Sequence, residues 1–169
     1  MLPSTDSFAT FLVNSTGCGA QPTKACAASR GQLFNISRST SWEALGAYEL
    51  DLAASQFNYS DPAYGTKNGL RPRCDYGLAS VGLGRAPAGV QLTQQVVAAY
   101  AAAHLPVGQF GLAPDSTWVP APHRSFLTTL FNESRIPSLA WGLQAGAAHR
   151  ARTPAALVLG GWDRARGRV

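Results

Sequence analysis

Between Ile136 and Asp163 the chain reads IPSLAWGLQAGAAHRARTPAALVLGGWD, a stretch that narrows the choice of fold more than any other. Two apolar runs, SLAWGLQAG and AALVLGG, flank the polar, turn-prone segment His149 to Pro154, the layout that a β-hairpin or a pair of neighbouring strands requires. Leu157, Val158 and Leu159 with small residues around them suit a buried strand, so a core hairpin is expected. Gly160-Gly161 ends it where the backbone must turn or approach another segment closely. The rest of the chain is punctuated in the same way, with 17 Gly and 11 Pro spread along 169 residues. Many short elements joined by turns follow from that, and they favour sheet over helix. Hydrophobic residues at 46% against charged residues at 14% exclude a disordered chain. A single domain over residues 1–169 with a real core is the expectation at this length.

The formal charge of +5 is unevenly placed: residues 1–120 carry seven basic and seven acidic groups, so the whole excess follows Pro120. Arg150, Arg152, Arg164, Arg166 and Arg168 are its main contributors. No aromatic residues interleave with these arginines as a base-stacking platform would need, so nucleic acid is not an expected partner. No run approaches the roughly 18 apolar residues of a membrane span. Met1-Leu2-Pro3-Ser4 lacks the charged region and apolar core of a signal peptide. Yet N-x-S/T acceptors occur at Asn14, Asn35, Asn58 and Asn132, none with Pro in the middle, which suggests a secreted or cell-surface glycoprotein whose N-terminus has been cut short. Cysteine usage fits that compartment. Cys18 and Cys26 are close enough to staple a loop, and Cys74 is left as a lone buried thiol, a competing partner, or half of an intermolecular bond.

In chain order, Ser4 to Val13 passes from small polar residues into an apolar strand that Asn14-Ser15-Thr16-Gly17 ends as a turn. After the cysteine loop, a Ser/Thr-rich stretch closes on Trp42 and reads as a surface loop pinned by that ring. Gly46 to Ala53 sets Tyr48, Leu50 and Leu52 on one face against Glu49 and Asp51 on the other, the period of a half-buried strand with solvated carboxylates. Phe57 to Gly69 is turn-rich. Tyr76 to Gly84 contains G-x-G but lacks the spacing of a phosphate cradle. Val90 to His104 is ambiguous, its alanines favouring helix while Leu92, Val96, Ala98 and Tyr100 alternate as a strand would. Gln109 to Leu112 reads as a short buried strand. Ser125 to about Asn132 is the one convincing helix, with Phe126, Leu127, Leu130 and Phe131 on one face, Ser125 able to cap it, and Pro137 forcing its end.

His104, His123 and His149 are isolated from one another and from the cysteines, so neither a metal nor any other cofactor is expected. No G-x-S-x-G elbow supports a serine hydrolase. A different pattern runs through nearly the whole chain: Arg30-Gly31-Gln32-Leu33-Phe34, Trp42, Phe110-Gly111-Leu112, Ser125-Phe126-Leu127 with Leu130, Ile136 to Gly142, and Leu159 to Asp163. In order and spacing it resembles the N-terminal lobe of a divergent branch of the fungal pepsin-like aspartic proteases.

That resemblance implies an all-β, mostly antiparallel lobe with one or two short helices, a peptide or protein substrate, and a C-terminal lobe missing from this chain. Hydrolysis in such enzymes uses two aspartates, one per lobe, which share a proton and activate a water. The register ending at Phe11-Leu12 aligns the D-T/S-G-S/T motif with Ser4-Thr5-Asp6-Ser7, placing Ser4 where the catalytic aspartate belongs and Asp6 at the glycine. A slipped register makes Asp6 the catalytic carboxylate instead. The flap tyrosine is either Tyr64, in Tyr64-Gly65-Thr66, or Tyr76, in Tyr76-Gly77. A serine hydroxyl is no general base at acidic or neutral pH, so the expectation is an endopeptidase relative inactive as it stands. The alternative is a non-catalytic module, a pseudoprotease lobe kept for peptide binding or as a glycosylated surface protein.

Overall fold

The computed structural model describes residues 1–5, 7–19, 23–49, 73–84, 89–102, 105–114, 123–146 and 155–163. They form two compact units, Met1–Phe126 and Leu127–Val169. The first is built on a six-stranded sheet made by β1 (Leu2–Ser4), β2 (Thr10–Val13), β3 (Glu43–Glu49), β4 (Arg73–Leu83), β5 (Val90–Tyr100) and β6 (Gln109–Gly111). Its strand order is β1-β6-β2-β5-β4-β3. A short helix α1 (Lys24–Ser29) begins inside the cysteine loop and runs past Cys26, and α2 (Phe126–Asn132) begins at the end of this unit. The second unit carries the antiparallel pair β7 (Trp141–Gln144) and β8 (Ala156–Leu159). The described residues are thus mostly strand with two short α-helices, and most strand pairs are antiparallel. The pairs β1–β6 and β2–β5 are parallel.

The ambiguous Val90 segment is a strand over Val90–Tyr100, because it is central in the sheet. It pairs with β2 on one side and β4 on the other. Two ladders and burial on both faces outweigh the helix propensity of its alanines: Val96, Val97, Ala98, Ala99 and Tyr100 are all buried. One irregularity interrupts it. Ala79 faces Gln95 and Val81 faces Leu92, so two residues of β5 oppose one of β4, and Gln94 takes up the excess with φ at 55°. Alternate residues of β4, namely Cys74, Tyr76 and Leu78, point into the core with Phe8, Phe11, Val13 and Leu105. Phe11 meets the Tyr76 ring edge-on at 6.3 Å, and Tyr48 of β3 meets the same ring at 5.8 Å. Each such ring contributes roughly 1.5–3 kcal/mol by burial.

Trp42 pins its loop as expected. It packs on Phe34 with ring centroids 5.7 Å apart, and it lies over Gly77, where a Cβ would run into the indole. Ser41 Oγ accepts from the Ser80 N–H at 3.0 Å in the same place. The strand expected from Gly46 starts earlier, at Glu43; its continuation through Leu50, Asp51 and Leu52 lies outside the described residues, as does Phe57 to Gly69.

The hairpin forms in the expected order, with Trp141 opposite Leu159 and Gln144 opposite Ala156. Its turn, His149 to Pro154, lies outside the described residues. The expectation of a core hairpin needs correction: Leu143 is 47% exposed and Leu157 36%. The two strands bond only to each other among the described residues, and an isolated pair has one ladder and no second layer to bury its faces. The double glycine behaves as its sequence implied at one position. Gly160 has φ at 85°, donates to the Ala140 carbonyl at 2.7 Å, and leaves no room for a side chain against Ile136 and Pro137.

Candidate functional site

The Ser4 to Ser7 segment joins β1 to β2, and β6 sits between those two strands. Ser4 ends β1 opposite Gly111, and the Leu112 N–H donates to the Ser4 carbonyl at 2.8 Å. Ala113 N–H donates to the Ser7 carbonyl at 3.0 Å, so Ser4 and Ser7 both hang on the residues that follow β6. Ser7 is buried and its hydroxyl is used locally, accepting from the Ala9 N–H at 3.1 Å and donating to the Ala9 carbonyl at 3.2 Å. Gly111 is required by proximity. A Cβ there would lie 2.5 Å from the Ala9 carbonyl oxygen and 2.6 Å from that of Ser7, both backbone atoms that cannot swing away. Ser4 itself is half-buried, and its hydroxyl has no hydrogen-bond partner among the described residues.

Asp6, the other candidate in this turn, lies outside the described residues, and so do Tyr64 and Asn58. Tyr76 is fully buried in the core between Phe11 and Tyr48. Asn14 follows β2 and bridges to Phe34, Asn35 precedes a short 3-10 turn over Ile36–Arg38, and Asn132 is the exposed last residue of α2. Cys18 and Cys26 are bonded, with Cα atoms 6.0 Å apart. Thr23 starts α1 inside that loop, its hydroxyl accepting from the Cys26 N–H at 3.1 Å. Of the three readings open for Cys74, the lone buried thiol is the one observed. Burial pushes its pKa up to about 12, against the lowering influence of the Tyr76 hydroxyl and with a smaller push from Asp75. A thiol so placed stays protonated and unreactive at neutral pH.

Arg30 is the residue that sequence reasoning missed. It is 7% exposed, and its guanidinium donates to the carbonyls of Gly17, Ala102, Leu105 and Pro106. Gly17 precedes the first bonded cysteine, and Ala102, Leu105 and Pro106 fall between β5 and β6, so one side chain ties the start of the disulfide loop to residues that precede the strand paired with Ser4. Its place in Arg30-Gly31-Gln32 carried no signal of this; in the structure Gly31 and Gln32 both take positive φ, at 72° and 80°.

His123 is half-buried and distant in sequence from other ligand types, and the described residues contain no group of three or more His, Cys, Asp or Glu able to hold a metal. No described helix is long and apolar enough to cross a membrane. Compared with known proteins, the chain matches no family profile and no curated sequence.

Proposed function

We propose that this chain is the N-terminal lobe of a pepsin-like aspartic endopeptidase fold in which the first catalytic carboxylate has given way to Ser4, leaving a lobe that holds extended peptide without cleaving it. The observation that carries the reading is the pair Ser4 and Ser7, hung from the end of β6 by the Leu112 and Ala113 N–H groups, with Gly111 packed closely against the Ser7 and Ala9 carbonyls. A turn held at both ends is what a reacting group needs if it is to be presented in one orientation. The group at the aligned position is a hydroxyl, which does not act as the proton-sharing carboxylate of a dyad and does not take a proton from water at acidic or neutral pH. The Cys18–Cys26 bond is compatible with an extracellular setting, the compartment in which this reading places the protein.

The test is hydrolysis of a denatured protein substrate by the full-length polypeptide between about pH 3 and 6, with and without pepstatin. No pepstatin-sensitive cleavage is expected, while Ser4→Asp in the same polypeptide should introduce it. Cleavage by the unaltered protein that pepstatin blocks and Asp6→Asn abolishes would overturn the inactive assignment and select the slipped register. Failure of the unaltered protein to bind any member of an extended peptide library would overturn the peptide-holding role.

A further inference from the structure

Helix α2 ends in the acceptor triplet Asn132-Glu133-Ser134, and the backbone after it is fixed. Glu133 N–H donates to Thr129 at 3.0 Å, Ser134 N–H to Phe131 at 3.0 Å and Arg135 N–H to Leu130 at 2.9 Å, with Ser134 at φ 55°. Asn132 is exposed, and its carboxamide makes no hydrogen bond among the described residues. Beside it opens a hollow of about 620 Å³ lined by Phe131, Asn132, Ser134, Arg135, Ile136 and Pro137. Its wall at Ile136 and Pro137 is backed by the close approach of Gly160.

The other described acceptors differ. The Asn14 carboxamide oxygen accepts from Ser15 Oγ at 3.0 Å, and its backbone N–H is bonded to the Tyr100 carbonyl at 2.6 Å. The Asn35 carboxamide oxygen accepts from both the N–H and the hydroxyl of Ser37, at 3.0 and 2.7 Å. Both side chains have work to do inside the fold; that of Asn132 does not.

We propose that Asn132 carries an N-linked oligosaccharide whose first sugars lie in this hollow. The lining suits a sugar. Phe131, 40% exposed, and the Ile136 and Pro137 side chains can receive the C–H face of a pyranose, while the Arg135 guanidinium, already ion-paired to Glu133 at 2.8 Å, has further N–H groups for sugar oxygens. In the transfer step the Asn132 amide nitrogen forms a bond to the anomeric carbon of a polyprenyl-diphosphate-linked oligosaccharide. The bond from that carbon to the diphosphate oxygen breaks, the diphosphate leaves with the electron pair, and one amide proton is lost to base. The modification leaves the backbone bonds after α2 intact. The inference rests on the secreted part of the functional reading and not on its peptidase part.

The experiment is to express the full-length coding sequence in a eukaryotic host, release N-glycans with peptide-N-glycosidase in heavy-oxygen water, and map the labelled aspartates by mass spectrometry. Label at residue 132 is expected, with loss of that glycan in both Asn132→Gln and Ser134→Ala and its retention in Ser134→Thr. An unlabelled residue 132 in protein labelled at other acceptors overturns the site; protein labelled nowhere overturns the site and the secreted reading together, whatever the peptidase assay shows. Seating in the hollow is read from the release rate, expected to be at least about tenfold slower from native than from denatured protein and to rise in Arg135→Ala, a factor equivalent to about 1.4 kcal/mol. Equal rates would put the sugar outside the hollow and overturn that half of the proposal.

Discussion

Arg30 shows how a single side chain can join parts of the chain that share no strand ladder. Its described partners are main-chain carbonyls, and a buried cation satisfied by dipoles alone depends on every one of them. Arg30→Met would leave the carbonyls of Gly17, Ala102, Leu105 and Pro106 without this donor and should cost about 3 kcal/mol or more, seen as a lower urea midpoint at unchanged slope. Arg30→Lys keeps the charge but replaces a planar fork by a point donor, so it should recover only part of that loss. None of this was legible beforehand. An arginine beside a glycine reads as surface, because acceptors on three distant carbonyl segments leave no trace in the residues around the donor. The disulfide was legible as one option, since eight residues of separation bring two cysteines close, but the chain spacing alone left Cys74 as a rival partner.

At the scale of elements, Leu112 and Ala113, the two residues after β6, hold the backbone at Ser4 and Ser7, and they reach it only because Gly111 at the end of that strand has no side chain. Gly111→Ala should destabilise the protein by about 2–3 kcal/mol, since the atoms in the way are carbonyl oxygens of Ser7 and Ala9. Gly161→Ala, at a position with nothing within 4 Å, is the control and should leave the thermal midpoint nearly unchanged. Elements whose signal is local were readable: α2, β6 and the β7–β8 pair lie where spacing and turn residues put them. Val90–Tyr100 was not decidable because its neighbours on both sides settle it. The hairpin's exposure was misjudged for a related reason. Leu157 and Leu143 carry the composition of a core strand, but composition does not say whether a second layer exists to cover them.

At the scale of the whole molecule, the two groups with displaced pKa values among the described residues belong to the first unit, Met1–Phe126. Burial pushes Tyr100 up to about 12, partly offset by Arg30, and pushes Cys74 to about 12 as well. Both are acids whose folded pKa lies above the ordinary 9.0 and 10.0, so the folded state keeps protons that the unfolded state releases. The contribution of these two groups to stability is therefore flat below about pH 9 and falls from there toward pH 12, by at most about 1.4 kcal/mol per pH unit for each group. Urea unfolding across that range should show it. Cys74→Ala should flatten the section between about pH 9 and 10, where Tyr100 is still neutral in both states. The insertion of β6 between β1 and β2 has a further consequence, in time. Ser4 and Gly111 are neighbours across the sheet but lie at opposite ends of the first unit's sequence. At roughly 5–20 residues per second on the ribosome, the two leading strands wait on the order of ten seconds for the one that separates them. During that interval their edges are open to mispairing and to chaperones. The turn at Ser4 is then among the last parts to close, so substitutions there should accelerate unfolding while leaving the folding rate almost untouched.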